Sequence, residues 1–239
     1  MNVISHPRQR QLMLIPGFMC DTSLWDSVRA GLEELGQTHF AGLNQDDSIE
    51  AMAEHLLPNL PSACVLIGFS LGGYVARHLA WLAQDRIAGL VLLNTSARAS
   101  TELELARNQQ QIKMLATYPY KGQTVRALQH ALHPQRQDNP VLLTHLQAMS
   151  LALGKEVFIR QLAIKRQDGH HELADIACPA LVVASRNDQM RSLDESEKLV
   201  AALPDAELHI IEDCGHMSPL EKPAELIQVL QCWLHKTGL

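Results

Sequence analysis

No stretch of this 239-residue chain is apolar for long enough to read as a membrane span, since its apolar runs stop far short of the roughly 18 residues that a bilayer requires. Positive charge is not in excess either. The formal net charge is −6, which removes the general electrostatic reason to expect nucleic acid or an anionic membrane as a partner. The first residues, Met1-Asn2-Val3-Ile4-Ser5-His6-Pro7-Arg8, lack a positive segment followed by an apolar one, so a secretory signal is not expected and a cytoplasmic protein is. Cysteine supplies no framework. Cys20, Cys64, Cys178, Cys214 and Cys232 are odd in number and form no C-x-x-C, which points to ordinary buried thiols rather than disulfides or a structural zinc site. Internal repeats, linkers and low-complexity tracts are also missing. What remains is a globular composition, 46% apolar and 19% charged, in a chain long enough for one large core.

Hydrophobic patterning divides the chain. Gln11–Ile15 reads as a strand closed by Pro16-Gly17; Ser23 is placed to cap a helix with the stripe Leu24, Val28, Leu32 and Leu35, ending at Gly36. Thr38–Leu43 is a further strand. Asp47-Ser48-Ile49-Glu50 has capping-box spacing and predicts a helix with Ile49, Met52, Ala53 and Leu56 on one face. Cys64–Phe69 and Ile87–Leu93 follow as strands, with a helix between them. This alternation predicts a mostly parallel, doubly wound sheet. From 97 to 172 the pattern changes to three helical stretches (102–118, 124–133 and 140–166) without a convincing strand, so an all-helical cap inserted into a core of residues 1–96 and 173–239 is expected. Alternation resumes with a strand over 180–184, a helix over 192–203 that Ser192 and Glu195 can box, a strand over 206–212 and a final helix over 223–234.

The stretch around Ser70 carries the chemistry. Val65, Leu66, Ile67 and Phe69 form the continuous apolar run of a strand buried on both faces, and Leu71, Val75, Leu79 and Leu82 mark one face of a helix. Between them Gly68-Phe69-Ser70-Leu71-Gly72 is a Gly-x-Ser-x-Gly turn. Such a turn lifts its serine above the sheet, and Gly68 and Gly72 must be small for the backbone to pass.

A serine hydroxyl needs a base within hydrogen-bond reach and a group to orient that base. In a parallel sheet both should follow the C-terminal ends of other strands. Asp188 does so after 180–184, and His216 after 206–212, giving the chain order Ser, Asp, His. Alone, Asp188 would be a turn residue and His216 a packed or solvated histidine. The strand ending at Asn94 offers no carboxylate in Asn94-Thr95-Ser96, and Glu212 and Asp213 read as solvated loop residues. An oxyanion site needs backbone N–H groups, for which Leu71 and Phe18 are the candidates, with Gly17 allowing the close approach. Phe18 as a plain core aromatic is the competing reading.

With these residues in view, the chain resembles the α/β-hydrolase superfamily, and within it the small capped bacterial carboxylesterases and lactonases, including the pimeloyl-carrier-protein methyl ester esterases. The resemblance is carried by Leu14-Ile15-Pro16-Gly17-Phe18, Gly68–Gly73, Cys178–Asp188 and Cys214–Pro223. It departs at Pro16, where many members have His, and at Ser185, where many have Gly. It implies a serine hydrolase acting on a small acyl ester, thioester or lactone through an acyl-serine, with no cofactor and no metal. C–C bond hydrolysis, a proton-abstracting lyase and a non-catalytic binding protein are the alternatives.

The cap would set substrate size. Phe18, Phe69, Met114, Met149, Phe158 and Met217 are the pocket candidates, with Leu115 and Leu153 beside them, against packing within the cap. Arg126, Lys155, Arg160, Lys165 and Arg166 make that segment basic, suited to a carboxylate or an acidic carrier protein, against a solvated helix face. His170-His171 reads as polar loop rather than metal ligands.

Overall fold

The computed structural model describes residues 10–239, so the reading of Met1–Arg8 lies outside the described residues. Strands form at each expected place: β1 (Gln11–Ile15), β2 (Gln37–Phe40), β3 (Cys64–Phe69), β4 (Ile87–Leu93), β5 (Ala180–Ser185) and β6 (Ala206–Ile211). They pair in the order β2-β1-β3-β4-β5-β6, every pair parallel. The central β3 and β5 are buried along their whole length, which is why they read as unbroken apolar runs. Edge strands β2 and β6 are half-exposed and carry polar residues.

Helices cover both faces. On one side α2 (Ile49–Leu56), α3 (Leu71–Leu82) and, later in the chain, α8 (Leu193–Ala202) pack on Met13, Ile15, Leu66, Leu90 and Val182. On the other, α1 (Arg29–Leu35) and the C-terminal α10 (Pro223–Thr237) pack on Leu12, Leu14, Val65, Val91 and Leu181. Alternate residues of each strand therefore feed two separate cores. Between β4 and β5 the chain contains helices only: α4 (Glu102–Thr117), α5 (Val125–His130), α6 (Pro140–Ala163) and the short α7 (His170–Leu173). The remaining helix, α9 (Ser218–Glu221), is also short. Strand order reverses between β1 and β3, and the crevice beyond their C-terminal ends is where open sheets of this kind take ligands. Among the described residues no helix is long and apolar enough to cross a membrane.

Local details differ from the sequence reading. Ser23 caps no long helix. Asp21 accepts from its N–H at the start of a short 3-10 turn, Thr22–Trp25, and α1 begins only at Arg29. The cap of α2 is Ser48, which accepts from the Ala51 N–H, rather than Asp47, because the helix starts one residue later than the box spacing suggests. The strand expected over 38–43 spans Gln37–Phe40. The capping box of Ser192 and Glu195 is present. Gly154, at φ 83 and ψ 178, interrupts α6 in a conformation that a side chain would oppose.

The end of the helical segment is fixed to α3 by charge. The guanidinium of Arg77 pairs with the Glu172 carboxylate and donates to the Gly169 carbonyl (2.9 Å), while His78 Nδ1 lies 2.9 Å from Glu172 Oε1. Arg77 and Glu172 are both nearly out of solvent. Burial opposes ionisation of Glu172, but the His78 hydrogen bond and the Arg77 charge outweigh it and hold the carboxyl below the usual range. A depressed carboxyl contributes stability above its unfolded pKa of about 4.3, and that contribution disappears as pH falls through the folded value. Glu172→Gln should therefore cost about 3–5 kcal/mol at pH 7, by leaving the Arg77 charge uncompensated. Urea denaturation checks this, and the gap to wild type should narrow on acidification below about pH 4.

Candidate active site

At the elbow, Ser70 has φ 51 and ψ −110, outside the regions in which L-residues are comfortable. Its neighbours over-determine that conformation. The Ser70 N–H donates to the Leu93 carbonyl (2.9 Å), and the Ser70 carbonyl accepts from Thr95 Oγ1 (2.6 Å) and the Gly73 N–H (3.0 Å). Small residues are obligatory around it. A Cβ at Gly68 would stand 2.5 Å from the Gly72 carbonyl oxygen, and one at Gly72 would run into the Ile15 and Pro16 carbonyl oxygens. The two glycines thus press α3 against β3 and against the loop after β1.

Ser70 Oγ lies 2.9 Å from His216 Nε2, and His216 Nδ1 lies 2.7 Å from Asp188 Oδ2. All three side chains named from the sequence therefore meet at the C-terminal ends of β3, β5 and β6. Asp188 is held on both oxygens: Oδ2 also accepts from Asn94 Nδ2 (3.0 Å), and Oδ1 from the N–H groups of Met190 (2.8 Å) and Arg191 (3.0 Å). Burial raises its pKa, yet the His216 charge and these hydrogen bonds prevail and keep the carboxyl below its ordinary value. An ionised Asp188 can only accept, so Nδ1 of His216 carries the proton and Nε2 is free to accept from the serine hydroxyl.

Asn94, passed over for want of a carboxylate, is the hub of this end of the site. Its amide donates to Ser185 Oγ (2.9 Å) as well as to Asp188, and its Oδ1 accepts from Ser218 Oγ (2.6 Å). Its backbone is also left-handed, at φ 47. The only trace in the sequence is a polar residue ending an apolar strand. Glu221 is a second omission. Buried, it accepts from the N–H groups of His133 (2.8 Å) and Met217 (3.3 Å) and from Arg136 Nε (3.0 Å), while the His216 N–H donates to the Ala131 carbonyl (2.8 Å). These bonds tie the histidine loop to the segment between α5 and α6. Glu212 pairs with Arg186 at the surface, as a solvated loop residue would.

Leu71 opens α3, and among the described residues neither its N–H nor that of Phe18 donates to a protein acceptor. Gly17 brings the Phe18 loop near Ser70, for a Cβ there would lie 3.3 Å from the Ser70 Cβ. The next residue, Met19, is left-handed (φ 51), and its N–H donates to Gln161 Oε1 (2.8 Å). Gln161 Nε2 in turn donates to the Leu43 carbonyl (2.7 Å). One buried amide from α6 thereby clamps the loop after β1, and nothing in its Gln-rich surroundings singled it out.

Above Ser70 lies a cavity of about 710 Å³. Phe18, Phe69, Met114, Phe158 and Met217 line it, as does Leu115. The Phe18 ring packs on Phe158 with centroids 5.5 Å apart, so it lines the pocket as well as its wall. Met149 does not line it. Its face of α6 is turned into the apolar cluster with Leu128 and Leu132, where it is fully packed. Leu153 is not on the wall either. Arg166 lies on the cavity wall rather than on a solvated face, and the Arg160 guanidinium donates to the Asn44 carbonyl. His170 pairs with Asp168 (3.1 Å), and the described residues hold no cluster of His, Cys, Asp or Glu suited to a metal.

A model of the alpha/beta hydrolase family matches residues 13–229. A pimeloyl-[acyl-carrier protein] methyl ester esterase of Aromatoleum aromaticum is 29% identical over 77% of this chain and 79% of its own length. A 2-hydroxy-6-oxononadienedioate/2-hydroxy-6-oxononatrienedioate hydrolase of Burkholderia vietnamiensis is 28% identical over 65% of this chain and 57% of its own. Among solved structures, a thermophilic esterase from Thermogutta terrifontis superposes with a TM-score of 0.84 at 25% identity, over 95% of this chain and 90% of that one.

The clamp yields a direct expectation. Gln161→Leu strands the Met19 N–H and the Leu43 carbonyl in buried surroundings, at about 1–3 kcal/mol each. Urea denaturation should show a loss of roughly 2–6 kcal/mol, and hydrogen exchange should quicken at Met19 before it does in β3.

Proposed function

This chain belongs to the alpha/beta hydrolase family, and on that premise we propose that it is a serine hydrolase cleaving a carboxylic ester, thioester or lactone through an acyl-serine intermediate. The observation that carries the reading is the unbroken hydrogen-bonded line from Ser70 Oγ through His216 to Asp188 beneath an apolar cavity. His216 Nε2 takes the hydroxyl proton as Ser70 attacks the carbonyl carbon, and Asp188 holds the imidazole in place and stabilises its positive form. The N–H groups of Leu71 and Phe18 receive the oxyanion of the tetrahedral intermediate. His216 returns the proton to the leaving group, and water activated in the same way releases the acid.

Residues 97–172 act in this reading as a cap, contributing Met114, Leu115 and Phe158 to the walls that select the acyl group. Among the basic residues that suit an acidic carrier protein, Arg160 is engaged by the Asn44 carbonyl and Arg166 faces the cavity rather than the outer surface, which favours a small ester instead. The relative that hydrolyses 2-hydroxy-6-oxononadienedioate keeps a C–C bond hydrolase as the second reading.

Intact mass after brief exposure to a small phosphonate probe tests the nucleophile. One adduct is expected on the wild type and none on a folded Ser70→Ala variant; a wild type that stays unlabelled while remaining folded would overturn the assignment. Ester turnover should vanish in Ser70→Ala, and Asp188→Asn should lower kcat by about 10³–10⁴, through loss of the correct imidazole tautomer. Ordinary ester turnover with acyl-enzyme accumulation would decide against the C–C reading.

A further inference from the structure

One wall of the cavity is polar, and although Arg191 Nη1 donates to the Met190 carbonyl (2.8 Å), this wall holds buried polar atoms without a partner. Tyr74 stands one helical turn beyond Ser70 on α3, is buried to 1% exposure, and its hydroxyl has no partner among the described residues. Two guanidinium groups lie against its ring, Arg166 with Cζ 5.4 Å from the ring centre and Arg191 at 5.9 Å. All three residues line the same cavity as Ser70 and His216. The Nε atoms of both arginines are buried without an acceptor.

The neighbouring carboxylate cannot serve them all. Glu104 already accepts from Arg98 through both oxygens (2.8 Å each) and from the Thr101 N–H (2.8 Å), and it accepts one bond from Arg166 Nη2 at 3.1 Å. Arg98 also pairs with Glu195. Arg98 and Arg166 therefore share Glu104, and Arg191 makes no ion pair with either carboxylate among the described residues. Asp188 is spent on His216, Asn94 and the 190–191 backbone. Burial, and then the like charge of Arg191, work against Arg166, while the Glu104 carboxylate supports it. A group that only accepts, is planar and bears one negative charge completes this set, since guanidinium forks match carboxylates in shape as well as charge.

We propose that Tyr74, Arg166 and Arg191 form a carboxylate-binding subsite, and that the substrate is accordingly a short ester bearing a free carboxylate, of the half-ester type. Ser70, Tyr74, Arg166 and Arg191 open into the same cavity, so a single small molecule can face both the serine and the guanidinium pair. The Asp188 loop supplies both the triad acid and Arg191, so carboxylate docking and the reacting centre share one rigid support. The hydrolytic half rests on the serine-hydrolase reading above; the binding half does not.

The test separates the two. The Ser70→Ala variant is titrated by calorimetry with monomethyl glutarate and with neutral dimethyl glutarate, and the wild type is assayed on the same pair and on the succinate and adipate homologues. The monoester should bind at least about tenfold more tightly, as expected for charge-assisted hydrogen bonds in a partly buried site. Arg191→Gln on the Ser70→Ala background should remove that preference, and in the otherwise wild-type enzyme it should lower the monoester-to-diester ratio of kcat/KM by a similar factor. Tyr74→Phe should lower the ratio by less. Equal binding of the two esters to Ser70→Ala, or a preference that survives Arg191→Gln, overturns the subsite. A charge-dependent preference in binding with no hydrolysis of any ester by the wild type upholds the subsite and overturns the esterase reading. Should Arg166→Gln fail to fold for loss of its Glu104 contact, Arg191, which makes no ion pair among the described residues, still carries the decision.

Discussion

The strained backbone of Ser70 is the constraint on which the rest of the site depends, because a residue at φ 51 and ψ −110 persists only if its surroundings forbid relaxation. Strain of this kind costs on the order of 1–3 kcal/mol. Here it is resisted from three sides: β4 accepts the Ser70 N–H, Thr95 donates to its carbonyl, and the close seat of Gly72 on the Ile15 and Pro16 carbonyls prevents α3 from drifting off the loop after β1. The same contacts hold the loop that carries Gly17 and Phe18 close to Ser70. The serine and the loop after β1 are thus set by a single packing solution at the strand-order reversal.

The helical segment between β4 and β5 is more than a cover. Gln161 clamps the loop after β1, the Ala131 carbonyl and His133 N–H hold the His216 and Glu221 loop, and Glu172 anchors the end of the segment on α3. The same helices thus hold both the loop after β1 and the histidine loop.

Apolar and polar walls divide the labour of recognition. Phe18, Phe158 and Met217 give the cavity that holds Ser70 an apolar wall. The Tyr74 wall, in contrast, keeps two guanidinium groups with donors to spare. A buried, unsatisfied polar cluster is expensive unless a ligand completes it, which is why this wall speaks to substrate chemistry where the apolar one speaks only to size.

Local patterning was enough for the strands, the two-sided burial of β3, the stripe of α3, the box at Ser192 and the order Ser70, Asp188, His216, because each depends on residues a few positions apart. It misplaced the caps at Ser23 and Asp47, where the competition between adjacent polar residues is settled by where the helix starts, and it set Met149 on the cavity although its helix face is claimed by Leu128 and Leu132. Asn94, Gln161 and the inward turn of Arg166 were out of reach altogether. Their partners are remote in sequence, 142 residues away for Gln161 and Met19, and a polar side chain carries no local sign of the distant backbone it will satisfy. The sequence by itself determined which segments become strands and helices and which chemistry-bearing residues stand at their ends, since periodicity and turn chemistry are local. Only the tertiary structure decided how those ends converge, which polar groups become buried supports, and which are left waiting for a ligand, since burial and hydrogen-bond satisfaction exist only once the chain has closed on itself.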